Sequence, residues 1–236
     1  MLVAQQKRAG ALDTDFRGGS INKNKLFGER RDREFPLFFD LGSLDGTIMS
    51  DAGSQMFRTA LDELGTVLAR VDDGRIDAAC EMLAGARQIV VYGCGREALQ
   101  VKGFAMRLHH LGLPVSVVGD MTTPPVAQGD VFLVSSGPGE TATVLTLMQV
   151  ARQAGATVLL LTAQPGGSAA RLADFTLLVP AQTMADDQGP QKTSVLPMGS
   201  VFEGALFLLF EVMVLKLRGL TAASPEAMRA RHTNME

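Results

Sequence analysis

Five short apolar runs, at residues 88–92, 114–118, 131–135, 157–162 and 175–179, are spaced along the chain with helix-like segments between them. They are almost continuously aliphatic, with no alternation of apolar and polar residues. A strand of that kind must be covered on both faces, which predicts a parallel sheet sandwiched by helices. Right-handed crossovers then give an α/β, doubly wound, flavodoxin-like five-stranded parallel sheet. Ligands of such sheets sit at the carboxyl ends of the strands.

The intervening segments carry helical periodicity. Phe57, Leu61, Leu64, Leu68 and Val71 recur at helical spacing, as do Ile76, Ala79, Cys80 and Leu83. Further helices are expected at 97–111, 143–154 and 200–218, with a helical turn at 168–173 and a short closing helix near Ser224-Pro225. Residues 181–198 read as a long polar loop. The run 201–217 is interrupted by Glu203, Glu211 and Lys216, so it suits a buried or interface helix better than a membrane span.

The first fifty residues differ from the rest. Their charges follow no period, and Phe35-Pro36-Leu37-Phe38-Phe39 is their apolar patch. A poorly ordered extension over 1–50 is expected, or a natural start at Met49, with one domain and its helical tail over 51–236. A formal net charge of -3 with interspersed signs points to neither a nucleic acid nor an anionic membrane as partner. Cys80 and Cys94 lack zinc-type spacing. With no signal segment evident, a cytoplasmic protein is expected.

Two glycine-rich turns follow strands and open helices. The first is Gly93-Cys94-Gly95-Arg96-Glu97; the second is Ser136-Gly137-Pro138-Gly139-Glu140-Thr141. Glycines bring backbone close to a ligand, and hydroxyls with helix N-terminal amides hold an anion, most often a phosphate. Ser136 and Thr141 could equally be helix caps. Ser200 to Glu203 also fits a capping box, with Ser at the N-cap and Glu three residues later. Adjacent on one helix, His109 and His110 point to different faces and cannot share a metal from there. Met106, Met198 and Met213 read as packing residues, and Cys94 as a small filler.

These pieces, in this order, resemble the sugar isomerase (SIS) domain family, and within it the 6-phospho-3-hexuloisomerases. The resemblance rests on Gly93 to Arg96, Phe104 to Gly112, Thr122-Thr123-Pro124 and Ser136 to Thr141. Pro197 to Glu203 and the ending Arg231-His232-Thr233-Asn234-Met235-Glu236 carry the rest. It implies a homotetramer, or a dimer, without metal or organic cofactor. The ligand would be a phosphorylated sugar whose carbonyl moves through a cis-enediol. It further implies Glu203 as the base and His232 as the acid or ring-opening group, meeting across a subunit interface if not within one chain. Gly93, Gly95, Arg96, Ser136, Gly137, Gly139 and Thr141 would bind the substrate.

The chain departs from the family at two positions. Glu97 stands where a phosphate-binding Ser is usual, and Pro138 replaces the loop's second Ser. A carboxylate competes with a phosphate for the same amides, while Pro138 removes a hydroxyl and an N–H. Each hydrogen bond lost to a charged group costs roughly 1.5–3 kcal/mol. Arg96, Lys102 and Arg107 are candidates to neutralise Glu97. Two other functions fit the residues: a catalytically inactive sugar-phosphate-binding protein, and an NAD-type protein using Gly93-x-Gly95-x-x-Ala98 with Asp120 as the ribose acid.

Overall fold

A computed structural model describes residues 46–235, with side chains assigned from Gly53 apart from that of Gln191. The expectations for residues 1–45, including the Phe35 to Phe39 patch, lie outside the described residues. Helix α1 (Gly46–Leu68) is followed by α2 (Asp73–Ala84), β1 (Ile89–Tyr92), α3 (Gly95–Leu111), β2 (Val115–Val117) and β3 (Val131–Ser135). Then come α4 (Ala142–Gln153), β4 (Thr157–Thr162), α5 (Ser168–Leu172), β5 (Phe175–Leu178), α6 (Ser200–Thr221) and α7 (Pro225–Ala230).

All strand pairs are parallel and the order is β2-β1-β3-β4-β5. The chain starts the sheet at β1 and grows it in both directions. The switch point therefore lies between the carboxyl ends of β1 and β3, where the two glycine turns emerge. This order is the flavodoxin-like one rather than the six-stranded order of dinucleotide-binding folds, which argues against the NAD-type reading.

Period-two geometry explains the continuous apolar strands. Ile89, Val91, Leu133, Leu159, Leu161 and Leu177 face a core built with α2, α3 and α6. Val90, Phe132, Val134, Val158 and Leu160 face the opposite core, against α4 and α5. Both faces are dry, so both parities must be apolar.

Helix α6 is the largest structural investment. It buries Val201, Phe202, Ala205, Leu206, Leu209, Phe210, Met213, Val214 and Leu217. Its Phe210 ring stacks on Phe104 of α3 at 4.3 Å, worth about 0.5–1.5 kcal/mol beyond area burial. Arg107 Nε and Nη2 donate to the Glu211 carboxylate at 3.0 and 3.2 Å, joining the same two helices. Both partners are partly exposed, so the pair sets helix register more than stability. Arg107 is thereby removed as a partner for Glu97.

Phe57 and Leu61 share the helical period of α1 but are 75% and 65% exposed; only its later turns, through Leu64, Val67 and Leu68, join the core. Met106 and Met198 are exposed within one chain rather than part of its core, and Met198 adopts a positive φ of 56° beside the site. Met213 is core, as expected. Among the described residues, no helix is long and apolar enough to cross a membrane.

Candidate functional site

At the switch point, α3, the β3–α4 loop, the 183–184 segment and the start of α6 enclose a cavity of about 470 Å³. Its walls include Gly95, Arg96, Glu97, Pro138, Thr141, Phe202 and Glu203. Close backbone approach makes this possible. A Cβ on Gly137 would stand 3.1 Å from the Phe202 ring and from Thr183 Cγ2. Gly199, at φ 72°, brings the first turn of α6 against the backbone of Thr183 and Met184, where a Cβ would meet Met184 N at 2.5 Å. Gly93 ends β1 tight against the first turn of α3; Gly139 turns the loop at φ 70°.

Strand parity separates the two serines. Leu133 and Ser135 point toward α3 and α6, whereas Val134 and Ser136 point toward α4. Ser135 Oγ accordingly donates to Glu97 Oε2 at 2.5 Å, and Ser136 Oγ lies 3.2 Å from Thr141 Oγ1. Thr141 is the N-cap of α4 but makes no side-chain cap bond, and Cys94 at the start of α3 makes none either. The capping alternative for Ser136 and Thr141 is thus not what the structure adopts. Three helix N-termini without side-chain caps, those of α3, α4 and α6, border one cavity, an arrangement that favours a bound anion.

Glu97 is held by neutral donors. Besides Ser135, the Gly137 N–H donates to both carboxylate oxygens at 3.1 Å. Among the described residues it forms no ion pair. Burial pushes its pKa up, opposed by the Ser135 and Gly137 hydrogen bonds and reinforced by the negative charge of Glu203. Ser135, not among the expected binding residues, is the last residue of a strand whose parity aims it at α3.

Glu203 projects from the first turn of α6, its side chain 16% exposed. Oε1 lies 3.2 Å from Arg96 Nη2; Oε2 is buried with no hydrogen-bond partner. Burial raises its pKa and Arg96 opposes the rise. The capping box does not form. The N-cap of α6 is Gly199, one residue earlier than the pattern suggests, so Ser200 is already helical and Glu203 falls one position too late. Ser200 instead donates to Pro197 O at 2.6 Å and accepts from Arg96 Nη1 at 2.7 Å. Arg96 also donates to the Met198 carbonyl. One guanidinium therefore ties the start of α3 to the start of α6.

His232 is not brought to this cavity within one chain. Its ring stacks on His110, centroids 5.2 Å apart, at the far end of α3. Fourteen residues of helix separate Arg96 from His110, about 21 Å at 1.5 Å per residue. Arg231 Nη1 donates to the His110 carbonyl at 3.1 Å, so the terminal motif seats the tail on the last turn of α3. Asp120, the candidate ribose acid, is exposed in a turn after β2. Cys94 lines the cavity, with its Sγ 3.4 Å from Tyr92 Oη.

Comparison with known proteins points the same way. Residues 82–203 match the SIS domain family. The chain is 34% identical to 3-hexulose-6-phosphate isomerase of Bacillus subtilis over 176 residues, covering 75% of this chain and 95% of that one. It is 35% identical to the enzyme of the same name from Mycobacterium gastri, covering 74% and 87%. A crystal structure of a Methanococcus jannaschii protein, from which a 3-hexulose-6-phosphate isomerase function was inferred, superimposes with a TM-score of 0.67. That protein is 23% identical, with 77% of this chain and 99% of that one covered.

Proposed function

This chain belongs to the SIS domain family and is a phosphosugar isomerase, and we propose that it interconverts 3-hexulose 6-phosphate and fructose 6-phosphate. The observation that carries the chemistry is the half-used carboxylate of Glu203 in the cavity wall, one oxygen held by Arg96 and the other without a partner. A half-buried carboxylate with a raised pKa and an unpaired oxygen is suited to removing a proton from carbon. Glu203 takes the C2 proton, the electron pair forms the 2,3-enediol, and a proton returned to C3 leaves the carbonyl at C2. The phosphate rests against the N-termini of α3 and α4, with Gly95, Arg96, Ser136, Gly137, Gly139 and Thr141 shaping that end.

The second proton carrier comes from another copy of the chain. Leu61, Leu64, Leu99, Phe207 and Leu208 line an apolar groove that is continuous with Arg96, Ser200 and Glu203. Phe207 and Leu215 are 56% and 64% exposed on α6. A two-fold axis through this face would bring the carboxyl end of one α3, with His110 and His232, toward the amino end of the other. This contact would form one two-fold interface of a symmetric homotetramer, and the free thiols of Cys80 and Cys94 suit the cytoplasm.

The test is turnover of 3-hexulose 6-phosphate. Glu203→Gln is expected to lower kcat by at least about a hundredfold while fructose 6-phosphate still binds; an unchanged kcat removes Glu203 as the base. One observation favours a second reading, a binding protein without turnover: Glu97 already occupies the Gly137 amide. A wild-type chain that binds fructose 6-phosphate but interconverts neither sugar would establish that reading instead.

A further inference from the structure

The carboxylate of Glu97 sits inside the anion cradle of its own protein. It takes the Gly137 N–H with both oxygens and the Ser135 hydroxyl with one. These are groups that a bound anion would otherwise use. Pro138 has no N–H to offer in their place, and the Gly139 N–H is spent on the Ser136 carbonyl. The cavity wall carries two carboxylates, Glu97 and Glu203, against one guanidinium, Arg96. That guanidinium is engaged by Glu203, Ser200 and the Met198 carbonyl. As it stands, the cradle is filled by a tethered anion, and its charge balance opposes a second, dianionic one.

We propose that Glu97 is a built-in competitor for the phosphate, and that a phosphorylated sugar binds only as Glu97 takes up a proton from solvent. Neutral Glu97 ceases to repel the dianion. Its carboxyl O–H becomes a donor, restoring at that position the hydroxyl-like function that a Ser would provide. The protein charge rises by one as the ligand arrives, so affinity for the phosphorylated sugar falls as pH rises. This makes the enzyme's hold on its substrate a function of pH through a residue other than the base.

The groups that face Glu97 fit this assignment. From β3 and its loop come Ser135 and the Gly137 amide, both neutral. Glu203 approaches from α6 and favours the neutral form, while Arg96 and the Cys94 thiol lie on its own helix or at its start. Across the cavity, Thr183 Oγ1 binds Asp186, a further negative charge in the facing loop. Burial and Glu203 both push Glu97 toward protonation.

The proposal rests on the phosphosugar reading of the site, and calorimetry separates the two. Fructose 6-phosphate is titrated into the wild-type protein and into Glu97→Gln and Glu97→Ser, from pH 6.5 to 8.5 (about the range over which the phosphate is a dianion). Buffers of low and high ionisation enthalpy are used, with fructose as the control. Expected for wild type is uptake of about one proton per ligand at the alkaline end, with Kd rising about tenfold per pH unit there. Both variants should bind with no proton uptake, only the small release from the phosphate's monoanionic fraction near pH 6.5, and at least about tenfold tighter at pH 8.5. Wild-type binding without proton uptake overturns the proposal. Uptake that persists in Glu97→Gln overturns it too, because the proton is then going elsewhere. If neither wild type nor Glu97→Ser binds fructose 6-phosphate at any pH, the phosphosugar reading itself fails.

Discussion

Replacing Arg96 with Met is expected to move the acidic limb of the pH–kcat/KM profile upward by about one unit. Arg96 Nη2 stands 3.2 Å from Glu203 Oε1. At that separation the attraction is about 5 kcal/mol at an effective dielectric of 20 and about 1.3 kcal/mol in bulk water. The Arg96 side chain is 46% exposed, so solvent screening draws the value toward the lower end, about 1.5 kcal/mol. Since a pKa unit is 1.36 kcal/mol, removal of the positive charge raises the Glu203 pKa by about one unit. The direction follows from Arg96 opposing the burial-driven rise. The base is then protonated over more of the acidic range, and the limb moves to higher pH. Substrate phosphate titrates identically in both assays, so the displacement between the two profiles isolates the enzyme. Arg96→Lys keeps the charge and should return the limb to its wild-type position even if kcat/KM stays depressed. A profile that drops uniformly, with its limb unmoved in Arg96→Met, would mean that Arg96 does not set the ionisation of the catalytic carboxylate.

Two further outcomes bear on the architecture. Gly199→Ala forces an L side chain into the left-handed region, about 1–2 kcal/mol. It also sets a Cβ 2.5 Å from Met184 N, with overpacking adding about 1–3 kcal/mol; urea unfolding should therefore show a loss of about 2–5 kcal/mol, and a loss below about 1 kcal/mol would show that the 183–184 segment yields freely. Phe207→Glu combined with Leu215→Glu places two charges on the exposed stripe of α6 and should give a smaller assembly by light scattering with turnover lost as well; an unchanged mass would put the subunit contact elsewhere.

Much of the fold follows from local pattern. Runs apolar at both parities can only be strands covered on two faces, and the helical periods between them require parallel crossovers. Sheet order 2-1-3-4-5 then places the two glycine turns side by side, so that cavity was legible once the strands were recognised. Residue types marked Glu203 and the hydroxyl loop as candidates because few other groups could serve proton transfer or hold an anion.

Tertiary structure decided the partnerships. Glu97 could have met Arg96, Lys102 or Arg107 by proximity in sequence; it met Ser135 and Gly137 because β3 lies beside β1 and its last odd residue points at α3. Ser200 to Glu203 matched a capping box, but packing of Gly199 against Met184 started the helix one residue early and left Glu203 half unpaired. His232 stayed at the opposite end of α3 from Glu203, because the tail docks where Arg231 donates to the carbonyl of His110. Periodicity reports which side of an element is apolar, a local property of solvation. Which polar atoms share a hydrogen bond depends on the register between elements distant in sequence, and that is fixed only when the layers close.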